Sequence, residues 1–379
     1  MSMKLKSIII FFCTLLVSFT LPQLTYSHPS GEIRGVWLTN IDSEVLFDAQ
    51  KTQSAIALIK EANFNTLYPT IWNWGYTLYP SSVAEKVTGT KIDPEERLQN
   101  RDVLQEIITE GHQKQLKIIP WFEFGFMAPA DSSLAQKHPH WITNRLDNSN
   151  IWLEGGVHER VWLNPLHPQV QKFISDLVIE IVTNYDIDGI QFDDHFGYPS
   201  DLGYDPYTTR LYRQEHNGKF PPRDFTNQEW IQWRADKITD YVKTLHHEIK
   251  KVKPNIVVSI SPNPQEFSLE KYLLDWAKWA EMGLIDELLV QVYRDNMIAF
   301  NREIAQADMQ RAKNNIPTAV GILSGLKGRQ VSLNIMEEQI RRTRQEGYGG
   351  VAFFFYESLW NFGPESVEMR KDFFQNIFS

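Results

Sequence analysis

Short β-rich runs recur along this chain at residues 33–39, 66–72, 117–123, 189–193, 256–261, 287–293, 318–323 and 350–356. Amphipathic stretches lie between them, at about 51–62, 101–115, 168–184, 228–250, 268–282, 297–313 and 332–346, and a last one at 365–376 closes the chain. In the third stretch Phe173, Leu177 and Ile181 recur at helical spacing beside Ile174 and Val178. Eight strands alternating with eight helices is the pattern of a (β/α)8 TIM barrel, which takes about 250 residues before insertions. A doubly wound open sheet is the alternative. It usually carries a glycine-rich phosphate turn after its first strand, and here that place reads Thr39-Asn40-Ile41-Asp42-Ser43-Glu44-Val45. The expected architecture is a single α/β domain over residues 31–379, a (β/α)8 barrel.

Two insertions are long. Residues 124–164, after the third strand, carry Trp141, Trp152 and Trp162. Residues 194–227, after the fourth, carry Tyr198, Tyr204, Tyr207 and Tyr212. Both follow the C-terminal ends of strands, where barrel enzymes build their sites, and long loops in compact domains are mostly functional.

Residues 1–27 have the three-part shape of a secretory signal peptide. Lys4 and Lys6 form a basic start, the run from Ile8 to Phe19 is apolar, and Thr25 and Ser27 are small residues ahead of a cut. An uncleaved anchor is the rival reading, but a spanning helix needs about 20 apolar residues and this run is shorter. The protein is therefore expected outside the cytoplasm, in the periplasm, cell envelope or medium, with no stable membrane insertion after cleavage. Its single cysteine, Cys13, falls in this segment, so disulfides and Cys-based metal sites are excluded from the rest.

Composition narrows the partners. A net charge of −9 argues against binding to phosphate backbones, so no nucleic acid is expected. Aromatic residues reach 13%, including 12 Trp. Such rings pack against the apolar faces of sugars, and they also fill cores.

The chemistry-bearing residues sit at strand ends. Side chains alternate along a strand, so in Asp188-Gly189-Ile190-Gln191-Phe192-Asp193-Asp194-His195 the pair Ile190 and Phe192 faces the outer helices. Gln191 and Asp193 then point into the barrel. A carboxylate there is costly to bury without partners or a function. Asp194 should splay towards the loop. By the same parity Gln291, Tyr293 and Asp295 share a face at the sixth strand, and Trp121 and Glu123 at the third. The eighth ends at Tyr356-Glu357, with Trp360 beyond. Glu123 and Glu357 each stand beside aromatic residues, surroundings that raise a carboxyl pKa as a general acid requires. Tyr68 and Trp72 on the second strand, with Trp37 and Asn40 around the first, complete the candidate contacts. Each carboxylate also has a structural reading, as a cap or an ion pair.

Metal hydrolysis finds little support. His138 and His140 fall in a Pro-flanked loop, and His246 and His247 are adjacent and so lie on different helix faces. No metal or other cofactor is expected. A G-x-S-x-G nucleophile elbow is absent.

The runs Ile33-Arg34-Gly35-Val36-Trp37-Leu38-Thr39-Asn40, Asp188 to Phe196, Gln291-Val292-Tyr293 and Gly350 to Tyr356 resemble the glycosyl-hydrolase-like 10 family, secreted bacterial barrel proteins, over about residues 31–340. The resemblance implies a glycoside hydrolase of the bacterial envelope, with peptide-free peptidoglycan strands as a candidate substrate. The fourth strand is more distantly similar to the amylase and α-galactosidase groups, whose nucleophile is the Asp that ends that strand. Asp193 occupies that place. The amylase pattern has Arg two residues earlier, where Gln191 stands here, which leaves the stereochemistry open. The α-galactosidase resemblance implies Asp295 as the acid.

Glycoside hydrolysis needs two carboxyl groups flanking the scissile bond. One strand does not present two on the same face, so the expected pair is Asp193, as nucleophile or base, with an acid drawn from Glu123, Asp295 and Glu357 in that order. Asp194, Trp37, Asn40, Tyr68, Trp72, Trp121, His195, Gln291, Tyr293 and Trp360 are the expected substrate contacts. The expected function is hydrolysis of an oligosaccharide or polysaccharide. A non-catalytic glycan-binding protein on the same fold is the second reading, and a metal-dependent deacetylase or amidohydrolase the third.

Overall fold

The computed structural model describes residues 31–379; the expected export segment, residues 1–27, lies outside the described residues. Eight strands form one parallel sheet. They are β1 (Ile33–Leu38), β2 (Thr66–Pro69), β3 (Lys117–Ile118), β4 (Gly189–Asp193), β5 (Val257–Ser261), β6 (Glu287–Gln291), β7 (Thr318–Leu323) and β8 (Gly350–Phe354). The order runs β3-β2-β1-β8-β7-β6-β5-β4. β1 lies between β8 and β2, with Ile33 opposite Gly350 and Gly35 opposite Thr66.

The third strand is shorter than its β-rich sequence predicts. Pro120 has no N–H to give a ladder, so regular pairing stops at Ile118 and resumes as single bridges at Trp121. Those bridges close the sheet. Trp121 pairs with Thr70 on one side and Gln191 on the other. The Phe122 N–H donates to the Gln191 carbonyl (2.9 Å) and the Gln191 N–H to the Pro120 carbonyl (2.8 Å).

A helix follows each strand: α1 (Ala49–Glu61), α2 (Val103–Gln113), α3 (Pro168–Asn184), α4 (Gln228–Val252), α5 (Trp276–Glu281), α6 (Ala307–Asn315), α7 (Leu333–Gln345) and α8 (Val367–Ile377). The fold is a (β/α)8 barrel. In α3, Pro168 occupies the first turn, where no N–H is needed. Its buried face is Val170, Phe173, Ile174, Leu177, Val178 and Ile181, at the spacing the sequence displays. Each such side chain contributes about 1.5–3 kcal/mol by leaving water. The predicted helix over 268–282 is instead two. A helix at Gln265–Tyr272 ends at Leu273, whose φ of 60° is left-handed, and α5 starts afresh at Trp276, capped by Asp275.

Two layers of packing result. The larger lies between the strands and the helices. The smaller, inside the barrel, stacks Trp37, Tyr68, Ile119, Trp121, Leu289 and Ala352. Polar groups thread this interior. Trp37 Nε1 donates to Gln191 Oε1 (2.7 Å), Gln191 Nε2 to Ser259 Oγ (3.0 Å), and Ser259 Oγ and Tyr68 Oη to Glu287 Oε1 (2.8 and 3.1 Å). Burial pushes the Glu287 carboxyl up, opposed by those two hydroxyls.

The stretch after β3 builds a small antiparallel sheet, with His158–Trp162 between Met127–Pro129 and Trp152–Glu154. It carries Trp162 over the end of β4, ring centroids 5.7 Å from His195.

Candidate active site

The strand parity of β4 organises the site. Phe192 turns outward against Phe122 and Phe196, ring centroids 5.6 and 4.1 Å away. Gln191 turns inward, and Asp193 continues the inward row at the strand's last position. The chain then tightens into a 3-10 turn, Asp194–Phe196, which Asp193 caps. Asp193 Oδ1 accepts the His195 backbone N–H at 2.8 Å, and the same turn brings His195 Nδ1 to 3.0 Å from that oxygen. Burial alone would lower the His195 pKa. The Asp193 carboxylate, with Asp194 and Glu154 behind it, overrides burial and lifts it to about 9. The ring is therefore an imidazolium at neutral pH, stacked on Trp162.

Asp194 points away from His195. Oδ2 accepts the Asn263 backbone N–H at 2.9 Å and Oδ1 accepts Ser268 Oγ at 2.6 Å. Burial pushes its carboxyl up, against these donors. Its geometry ties the β4 turn to the loop after β5.

Glu123 enters from the extension of β3 and is 7% exposed. Its Oε2 accepts Thr70 Oγ1 (2.8 Å), Asn73 Nδ2 (3.0 Å) and Thr39 Oγ1 (3.3 Å). Burial drives its pKa up to about 7. The nearby Asp193 charge adds to the rise, while the Thr70 hydroxyl, the His195 cation and Thr39 oppose it. The loop beyond Glu123 is pinned to the β4 turn at Gly125 (φ 46°), where a Cβ would lie 2.2 Å from the His195 carbonyl oxygen. Phe126 N–H donates to that same oxygen at 2.8 Å. Only glycine permits this approach, and it holds the segments bearing Glu123 and Asp193 together.

These groups line one cleft of about 160 Å³ at the C-terminal mouth of the barrel. Asp193, Asp194, His195, Glu123 and Trp121 share it with Gln291, Tyr293, Asn263, Tyr272 and Phe354. Gln291 is anchored through Nε2 to the Ser261 carbonyl (2.7 Å). Tyr293 stacks on Phe354 at 5.6 Å. Burial and the charges of Asp193, Asp194 and Glu123 push its phenol well above the usual range, so it presents a neutral hydroxyl. Burial, Asp194 and Asp193 raise Tyr272 likewise.

The other two candidate acids, Asp295 and Glu357, and several expected contacts lie elsewhere. Asp295 is exposed and pairs with Arg329 at 3.1 Å, because β6 ends at Gln291 and alternation does not carry four residues past it. Glu357 sits in the first turn of a helix at Tyr356–Trp360 and accepts Ser43 Oγ (3.0 Å) and Asn361 Nδ2 (2.7 Å), outside the cleft. Trp37 and Tyr68 form the buried layer beneath the cleft. Trp72 lies outside the barrel against Phe173 of α3, ring centroids 5.7 Å apart, because β2 ends at Pro69 and residues 72–77 form a hairpin. Trp360 is core, 5.9 Å from Phe374, since the turn of that short helix directs it inward. Asn40 lies in a neighbouring groove. Asn263, Tyr272 and Phe354 were not expected. Asn263 follows β5, a strand with no carboxylate to draw notice; Phe354 stands at the last position of β8 and is reachable by parity.

Among the described residues, no group of three or more His, Cys, Asp and Glu side chains is arranged to hold a metal ion.

Fold and family together place the chain among glycan-acting, hydrolase-type barrels. It belongs to the glycosyl hydrolase-like 10 family, whose model matches residues 32–340. Glycosyl hydrolase DigH of Escherichia coli K12 is 24% identical over 331 residues, covering 76% of this chain and 70% of that protein. Glycosyl hydrolase YngK of Bacillus subtilis is 25% identical over 328 residues, covering 76% of this chain and 60% of that one. Among solved structures, the PgaB (BpsB) glycoside hydrolase domain of Bordetella bronchiseptica superposes with a TM-score of 0.65 at 14% identity, over 90% of this chain and 99% of that domain. The catalytic domain of a Paenibacillus polymyxa β-amylase gives 0.64 at 10% identity, over 93% and 100%. At those identities the likeness is one of fold.

Proposed function

We propose that this protein is an exported glycoside hydrolase that cleaves a bacterial envelope glycan, with peptide-free peptidoglycan strands as the first substrate to test. The observation that carries the proposal is the contrast between two carboxyl groups in one cleft. Glu123 is pushed up to about 7, while Asp193 accepts one hydrogen bond from the His195 ring and one from the His195 backbone N–H. Unlike environments for two carboxyl groups are what acid and nucleophile or base require.

In this reading Glu123 donates its proton to the glycosidic oxygen as the C–O bond breaks. Asp193 either attacks the anomeric carbon or takes a proton from the attacking water. The His195 cation orients Asp193 through the same oxygen that accepts its backbone N–H. Tyr293 and Asn263 offer hydrogen bonds to sugar hydroxyls, and Trp121 and Phe354 offer apolar walls. Thr39, Thr70 and Asn73 fix the Glu123 carboxyl by donating to one oxygen, leaving Oε1 as the proton-bearing atom that faces substrate.

Export rests on the pattern at Lys4, Lys6 and Thr25–Ser27. No helix among the described residues is long and apolar enough to cross a membrane. Mass spectrometry of the protein from producing cells should find an N-terminus near His28; intact Met1 on cytoplasmic protein would contradict export. The activity is tested by incubating the protein with purified peptide-free glycan strands and measuring released fragments. Binding without release, unchanged in Asp193→Asn, would favour a glycan-binding protein instead.

A further inference from the structure

A second depression opens at the same barrel mouth, about 630 Å³ in volume, built by the loops after β1, β2, β7 and β8. Trp74, Asn40 and Glu357 line it. It backs onto the cleft across Asn73, whose Nδ2 donates both to Glu123 Oε2 (3.0 Å) and to Asn40 Oδ1 (2.7 Å). Around the mouth the β3 extension that bears Glu123 runs between β2 and β4, bridging Thr70 on one side and Gln191 on the other, so Asp193 and His195 come from its β4 side and Asn40 and Trp74 of the groove from its β2 side.

Trp74 occupies an unfavourable backbone position. Residues Trp72–Asn73 and Tyr76–Thr77 pair as a hairpin joined by Trp74 and Gly75 alone. Both connecting residues have positive φ, 53° and 77°, as a type I′ turn requires. That geometry favours Asn, Asp or Gly at its first position, and an aromatic residue there is strained. Strain of this kind persists where a side chain is needed in one place. Among the described residues Trp74 Nε1 is also buried with no acceptor, and so is Asn40 Nδ2, on a residue 4% exposed. Among the described residues the donors to Glu357 are the neutral Ser43 and Asn361, which leaves its carboxylate able to accept from further hydroxyl groups.

We infer that this groove is the leaving-group subsite of the proposed hydrolase. It would take the sugar units beyond the scissile bond, with Trp74 as the stacking platform and Glu357 and Asn40 as hydrogen-bonding partners. The direction follows from the chemistry. An acid protonates the leaving oxygen, so the departing part of the chain lies on the Glu123 side, away from Asp193. The inference rests on the hydrolase reading and adds that the substrate is a chain spanning both depressions.

Trp74→Asn separates this role from a structural one. Asn suits the turn but gives up the packing of the ring against the core, so the variant is compared with wild type only where its melting curve still shows one cooperative folded baseline. Affinity for peptide-free glycan strands is measured by titration calorimetry in the Asp193→Asn background, with and without Trp74→Asn, and wild-type fragment release is followed in parallel. The expected result is about a tenfold loss of affinity, as an aromatic contact of this size is worth. Equal affinity, while the wild type still releases fragments, overturns the subsite and leaves the hydrolase reading standing. Strands neither bound nor cut overturn both.

Discussion

One oxygen of Asp193 accepts both the backbone N–H of His195 (2.8 Å) and its ring Nδ1–H (3.0 Å). The tight turn after β4 makes this arrangement, and it puts a cation against the carboxylate at the barrel mouth. The His195 pKa is lifted from an ordinary 6.5 to about 9. A raised folded-state value means stability that is fully present below pH 6.5 and lost as pH climbs through 9. The His195→Gln protein lacks this dependence. The difference in melting temperature between wild type and His195→Gln should therefore shift against the wild type from pH 6.5 to 9. Parallel curves across that window would contradict the ion pair.

Glu123 makes the opposite demand on the protein. Its carboxyl is raised from 4.5 to about 7, chiefly by burial, so folding is progressively penalised as pH rises from 4.5 to 7. Glu123→Gln removes the penalty and should be more stable than wild type at pH 8 by up to about 3 kcal/mol. The same substitution should cost about 10²–10⁴-fold in turnover of glycan strands, and far less on aryl glycosides whose leaving groups need no proton. The wild-type rate should fall above pH 7 as the acid ionises. Equal losses on both substrate types would remove Glu123 from the role of acid.

Asp194 is expected to behave as a positioning residue. Its two oxygens accept from Asn263 and Ser268, and an amide turns a donor towards one of those donors. Asp194→Asn should destabilise by about 1–3 kcal/mol and reduce turnover less than Asp193→Asn does. Denaturant titration of both variants checks this. A stable, fully inactive Asp194→Asn protein would mean that Asp194 carries the chemistry.

How much was legible in the sequence follows from how far each ladder runs. Parity along β4 aims Gln191 and Asp193 inward because regular pairing persists to Asp193. Past Gln291 in β6 it misleads, because the strand has ended and Asp295 belongs to the surface. Trp72 misleads for the same reason, since the chain leaves β2 at Pro69. Glu123 was within reach through its spacing from Trp121, even though Pro120 cuts the strand between them and Ile118. What no local pattern shows is contact across the mouth. Asn263 reaches Asp194 over 69 residues and Gly125 abuts His195, relationships that exist only once the barrel has closed.

The most direct test of the account is Asp193→Asn assayed on peptide-free glycan strands beside its melting curve. The substitution keeps size and removes charge. We expect turnover to fall by about three orders of magnitude or more, as loss of a nucleophile or base entails, with a cooperative melting transition retained. Turnover near the wild-type rate with an unchanged melting curve would contradict the assignment of Asp193.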